Sequence, residues 1–551
     1  MKPLLPRLLT GILAATLTLP LSAFAELPLV PDRTDWSAPA AAWWSHVQYL
    51  ADDRLEGRRA GTPGYDKAVA YVEDQFRQAG LKPAGLNGYQ QPVSLTPYQL
   101  NTEKSSAHIH RSTGQVQFVV GKQLAIAPDS RTDVTAPLVF IGYGLRIPRK
   151  HIDDYAGVDL SGKIAVFFNA PPERLQGPQR AYARGTDQRW KALRGTGAIG
   201  MLALALPRYI PGQETMTPEQ IAKAQPQSAG GPRVTFADSR VSSLPGLQFS
   251  GSLTNADAGE KMFAGTGHTY ADLLALAKAG KPLPFFPIPG TFTAHTDIER
   301  SAPVSASNVI GLLPGSDSKL KNEYVVVSAH LDHLGIGREI NGDNLYNGAM
   351  DNASGIASLI ECAKLLASQS HPKRSVLFIA LTGEELGELG SEYFAKRPTV
   401  PEAQIVADLN MDMYLPLFPL RFLEVQGLGE STLGNDARAI CQFNDVEVQF
   451  DKQPDENRFV RSDQVNFVKQ GIPALAFKFG WTPDSPEEKT FNDWVKTRYH
   501  KPSDDLNQPV DKVAAAQFTL ILAQLTTRVA NEIPRPTWYP ESSFNNLAAA
   551  R

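Results

Sequence analysis

The chain has 551 residues, 42% of them apolar and 20% charged, and a formal net charge of −3. That composition is ordinary for a folded protein, and the length allows more than one domain and a large core. It excludes a strongly basic nucleic-acid-binding surface, and with only Cys362 and Cys441 it excludes a disulfide framework.

The first 25 residues stand apart. Lys2 and Arg7 precede an apolar run from Leu8 to Leu21, closed by Ala23-Phe24-Ala25. This is the form of a cleavable secretory signal, cut after Ala25. The run is short for a membrane span. The mature chain is therefore expected in the periplasm or outside the cell, without stable membrane insertion.

Residues 42–82 read as helical around a basic, glycine-rich loop from Leu55 to Gly64. Val69, Val72, Phe76 and Ala79 share one helical face, and Gly80 stops the helix. From about Tyr89 the apolar period becomes two, and Gln115–Val120 and Ala136–Tyr143 read as strands. Residues 125–285 are expected to form a separate β-rich module carrying no ligand-type cluster. Lys281–Pro289 (KPLPFFPIP) is expected to be an extended linker into the next domain. From Ser307 strands and helices alternate, with strands at 308–313, 324–329, 375–381, 405–411, 423–427 and 474–479 and a long closing helix over 511–531. That alternation is an α/β sheet. Cys362 and Cys441 fall in its helical patterns and are expected as free, buried thiols.

Polar residues that bind metals or move protons gather at the strand ends of this half. His330, Asp332 and His333 follow the buried run Tyr324–Ala329, and Asp351-Asn352 opens the next helix. Glu384-Glu385 follow the strand at 375–381, Asp412 ends the next, and His500 lies beyond the last. Open α/β sheets place their sites at this edge. Imidazoles with carboxylates are the ligands of hydrolytic zinc sites. His330, Asp351, the glutamate pair, Asp412 and His500 are too many for one tetrahedral ion with an open position, and suit two ions sharing a carboxylate. One of Glu384 and Glu385 can hold metal while the other takes a proton from water. Asp332 is placed to accept from the second N–H of His330 and fix its tautomer. His333 is a candidate second-shell or substrate contact. Asp408, inside a strand, is read as structural.

The motifs AHLDH, AMDNASG, LTGEELGELGSEYF, NMDM and YHKPSDD, in that order, resemble those of the M28 metallopeptidases, co-catalytic dizinc aminopeptidases. RLEGRRAGTPGY and SDQVNFVKQGIPAL fit as well. The resemblance implies an α/β fold, a mixed central sheet sandwiched by helices. It implies two Zn²⁺ per chain: His330 and Asp412 on one, Glu385 and His500 on the other, Asp351 between them, and Glu384 as general base. It implies a cis peptide at Asp351–Asn352. Asp463 and Tyr499, within the last motifs, join His333 as substrate-binding candidates. The segment VFIGYGL…DDYAGVDLSGKIAVFF…GAIGMLAL resembles an inserted protease-associated domain. The expected partners are peptide substrates, and the expected reaction is removal of N-terminal residues by attack of a metal-bound hydroxide on the scissile carbonyl. A carboxypeptidase of the same fold would need a cationic pocket, for which Arg458, Arg461 and Lys478 lie in the right region. A non-catalytic receptor would be expected to lack ligands or base, and all six positions are filled. A single-zinc glutaminyl cyclase is the remaining alternative.

Overall fold

A computed structural model describes residues 35–147, 151–169, 175, 177–204, 233–242, 244–542 and 544–545. The expected signal segment lies outside the described residues.

The described residues build two large sheets, one of 11 strands and one of 8. The larger has four parallel strands at its centre, in the order Ser375–Leu381, Tyr324–His330, Ile405–Asn410, Ala474–Phe479. Antiparallel strands Val304–Leu313 and Phe422–Gln426 flank them, so the sheet is mixed. The central strands are mainly apolar because both faces are covered. Side chains alternate between two cores. Val325, Val327 and Ala329 face one, with the helices Ser37–Leu50, Pro63–Gln78, Ser354–Ala367 and Lys512–Asn531. Val326, Leu377 and Ile379 face the other, with Phe394 and Phe467 from the helices Leu389–Lys396 and Gln464–Lys469. The Lys512–Asn531 helix is long and apolar enough to cross a membrane, but it is buried in the first core. Cys362 and Cys441 are free and buried.

The smaller sheet collects strands from Ser106–Arg111 through Phe285–His295, so it reaches past 125–285 at both ends. One strand inside that span, Arg233–Phe236, leaves it and pairs with Gln90–Leu100 at an edge of the larger sheet. The expected linker at Lys281–Pro289 is also corrected. Phe285–Ile288 is strand, paired with Ile141–Leu138. Proline is confined to free strand edges and bulges, because it has no N–H to donate. Both conditions are met. Pairing to Ser106–Arg111 begins only at Thr291, so Pro287 has one free side, and Pro289 and Gly290 fall in the bulge between Ile288 and Thr291. The two units touch where Lys469 Nζ lies 3.0 Å from an Asp187 carboxylate oxygen, and Lys396 Nζ donates to the Val241 carbonyl at 2.7 Å.

Candidate metal centre

Parallel strands end together at one edge of the sheet, so the residues just after them converge. His330 is the last residue of its strand. Its Nε2 lies 3.3 Å from Asp351 Oδ1 and 3.3 Å from Asp412 Oδ1. The other oxygen of Asp351, Oδ2, lies 3.3 Å from His500 Nε2, which is 3.2 Å from Glu385 Oε2. Asp351 thus turns one oxygen to each histidine. Two donor groups result, His330–Asp351–Asp412 and His333–Asp351–Glu385, each with ligand atoms within 4.8 Å of one another. The Asp351–Asn352 peptide is cis.

His333 was expected at most as a second-shell or substrate contact. It is buried, with Nδ1 2.7 Å from Glu385 Oε1 and 3.9 Å from Asp351 Oδ2. Neither ring nitrogen, nor Glu385 Oε1, makes an aligned hydrogen bond. Asp332 also differs. The Nδ1–H of His330 donates to the backbone carbonyl of Asp332 at 3.1 Å, while the carboxylate stands 4.0 Å away. That carboxylate accepts the N–H of Glu384 at 3.2 Å instead, and so orients the glutamate loop. Asp463 is fully buried, as are His330, His333 and Asp351. Tyr499 is half-buried and stacks on the His500 ring, centroids 3.9 Å apart. Asp408 accepts from the Ser328 hydroxyl at 2.8 Å inside the sheet.

The electrostatics ask for cations. Burial, with the charges of Asp412, Glu385 and Asp463 against that of His330, holds Glu384 well above the usual carboxylate range. Burial pushes Asp332 up to about 6 and Asp463 to about 7. Glu385 is drawn down to about 2, because the His500 and His333 imidazoles outweigh its burial and the like charge of Asp351. Buried carboxylates outnumber the imidazoles, and buried charge must be paired. Orphaned buried donors, shared oxygens and surplus negative charge fit a pair of divalent cations.

Three residues hold this edge together in a way that was not expected from the sequence. Arg58, from the basic loop, is fully buried. Its guanidinium donates to the carbonyls of Leu331 (3.0 Å), Leu50 (2.5 Å), Asn347 (2.5 Å) and Gly348 (3.0 Å). Asp504 accepts the N–H groups of Met350 at 2.9 Å and Asp351 at 3.0 Å. Asn352 donates to the Met411 carbonyl at 2.8 Å and so ties the Asp351 turn to Asp412. The available signal was an arginine in a glycine-rich loop and a doubled aspartate after His500. Gly348 is required between them: its φ is +62°, and a Cβ would lie 2.2 Å from the Asp351 carbonyl and 2.5 Å from the His333 ring.

Comparison with known proteins agrees with this edge. The sequence profile of peptidase family M28 matches residues 308–526. Those residues are an M28 peptidase domain. Its sequence is similar to a "Probable zinc metalloprotease" of Pyrenophora teres f. teres, 32% identical over 111 residues, which is 20% of this chain and 23% of that protein. It is similar to a "probable leucine aminopeptidase 2" of Aspergillus oryzae, 31% identical over 172 residues, 30% of this chain and 32% of that protein. The chain thus spans under a third of the length of these curated relatives. Among solved structures, the aminopeptidase from Aneurinibacillus sp. strain AM-1 aligns over 91% of this chain and 95% of its own, with 21% identity and a TM-score of 0.48.

Proposed function

We propose that the protein is an exported zinc aminopeptidase that removes N-terminal residues from peptides. The observation that carries the reading is Asp351, whose two oxygens face His330 and His500. His330 and Asp412 would hold one ion; Glu385 and His500 would hold the other. The imidazole–carboxylate donor set suits zinc. When bound, the ions would acidify a water and polarise the scissile carbonyl. Glu384, hydrogen-bonded through its own N–H to Asp332, takes the proton of the attacking water and passes it to the leaving amine. Cations bound beside it would offset the negative charge that pushes the Glu384 carboxyl up and so favour the ionised form a base needs. Asn352, Asp504 and Arg58 keep the loops fixed while this happens.

A panel of chromogenic substrates tests the reading. Unblocked aminoacyl anilides should be cleaved and N-acetylated ones should not. A chelator should abolish the rate and zinc should restore it. Cleavage that requires a free α-carboxylate and tolerates an N-terminal block would make the protein a carboxypeptidase. Export rests on the first 25 residues, and the N-terminus of the protein recovered outside the cytoplasm should be Glu26.

A further inference from the structure

On one face of the smaller sheet the strands Ile164–Phe168, Gly200–Leu204 and Phe249–Leu253 set Phe167, Ala203 and Ser252 side by side in one row. The helix Thr186–Arg194 packs Trp190 and Leu193 into the core on that face. Ala203 and Ser252 are small, and a cavity of about 250 Å³ borders the row, lined also by Met201, Asn169 and Thr186. Arg189 lines it too and is 3% exposed. Its guanidinium carbon stands 4.6 Å from the centre of the Phe167 ring. Its Nη1 donates to the Asn169 side-chain oxygen and, at 3.2 Å, to the Arg184 carbonyl. Its Nε and Nη2 are buried and have no acceptor. Those two N–H groups form the edge of a guanidinium that holds a carboxylate through two parallel bonds. Among the described residues no carboxylate lies within 4.0 Å of Arg189, and none lines the cavity. The covering helix has no side-chain cap at its N-terminus, and its first residue, Thr186, is on the cavity wall. Partial positive charge collects at such an end.

A buried cation with two hydrogen bonds unmade is costly, and an anion would complete it. We propose that this cavity binds a small organic acid through its carboxylate, taken by Nε and Nη2 of Arg189, as a site separate from the metal centre. An α-ammonium beside that carboxylate would find no counter-charge in the cavity wall, so the acid is one without a free α-amine. Phe167 and Met201 offer apolar surface to its body. Two sources share this chemistry: the C-terminus of a peptide, or a short-chain aliphatic acid. The site stands whether or not the metal centre cleaves peptides.

Calorimetry on the zinc-loaded, full-length protein tests it with N-acetyl-leucine and isocaproate, which share one aliphatic body. The tighter of the two should bind at least about tenfold more strongly than its own amide and than leucine, the size of a charged hydrogen-bonded contact. N-acetyl-leucine as the tighter ligand identifies a peptide C-terminus; isocaproate identifies a short-chain acid. Arg189→Gln should weaken the tighter ligand at least about tenfold. Ala203→Phe, which fills the cavity and keeps the guanidinium, should weaken it as well, and the melting temperature of each variant shows whether it is folded. Binding that persists in either folded variant lies elsewhere, the metal centre included, and overturns the proposal. So does a parent protein that binds neither acid, or that binds the amide or inorganic phosphate equally well.

Discussion

Glu384 and Glu385 are neighbours in sequence with opposite surroundings. Glu385 points at His333, His500 and Asp351, while Glu384 is pushed toward its neutral form by burial and by Asp412, Glu385 and Asp463. Glu384→Gln should therefore keep both metals and the fold and lose turnover by roughly 10²–10⁴-fold, the size of a general-base contribution. Glu385→Gln should lose metal first, and excess zinc should restore part of its rate. Metal analysis beside steady-state kinetics distinguishes the two, and a metal-depleted Glu384→Gln with a fully loaded, inactive Glu385→Gln would reverse the roles. His333 adds a donor on the Glu385 side, with its Nδ1 2.7 Å from Glu385 Oε1 and no other carboxylate nearer than Asp351 among the described residues. His333→Ala should weaken one ion and leave the other. The affinity loss should be at least about tenfold, since even outer-sphere partners cost 10–100-fold. Competition with a chromogenic chelator measures it, and two unchanged affinities would make His333 a spectator.

At the scale of elements, the site is a set of loops held by one arginine and one aspartate. Arg58 donates to four carbonyls, three from two loops and one from the end of the Ser37–Leu50 helix. Lysine has the charge but not the planar fork. Arg58→Lys, with three N–H donors for four carbonyls, should leave at least one buried carbonyl unpaired and cost at least about 1–3 kcal/mol, the penalty for one unsatisfied group. Denaturant unfolding checks it, and a change below about 1 kcal/mol would mean that water replaces the guanidinium. None of this clamp was legible in the sequence, because its partners lie up to 290 residues away. What was legible has a local cause. The strands Ser375–Leu381 and Ala474–Phe479 and the helix Ser354–Ala367 fall where the buried runs and the helical period put them. The metal-ligand candidates other than His500 were legible because each follows or ends such a strand, or opens the helix; His500 lies behind the Pro486–Thr497 helix and was legible through its motif. The Phe285–His295 strand was misread because prolines that normally break a sheet sit at a free side and in a bulge. His333 was underrated because a histidine beside a strand end is usually satisfied by a hydrogen bond, whereas this one faces the carboxylates of Glu385 and Asp351.

At the scale of the molecule, the smaller sheet is tethered where the chain leaves and re-enters the larger one. The Asn101 N–H donates to the Asp297 carbonyl at 2.9 Å, and Ile298 pairs with Leu100. The two crossing strands are therefore neighbours, and the unit between them can be removed without stretching the chain. A cut at 125 and 285 would be misplaced. It would leave the hairpin Ser106–Arg111 and Gly114–Phe118 paired only to Phe285–His295, with Ile109, Phe292 and Ala294 stripped of the core that covers them. An exposed apolar sheet of that kind aggregates. Joining Asn101 to Asp297 through a short glycine linker removes the whole unit. The larger sheet then loses the Arg233–Phe236 strand, which pairs only at its edge, together with the Asp187 and Val241 contacts to Lys469 and Lys396. None of the donor residues at the metal centre is touched. The Asn101–Asp297 deletion should be soluble, bind two zinc ions and cleave small anilides, because a unit with its own core folds alone. The deletion of 125–285 should be insoluble. Solubility, metal stoichiometry and the small-substrate rate of the two proteins decide the matter. If the Asn101–Asp297 deletion is soluble but binds no zinc, the smaller sheet is needed to form the metal centre and is not merely docked beside it.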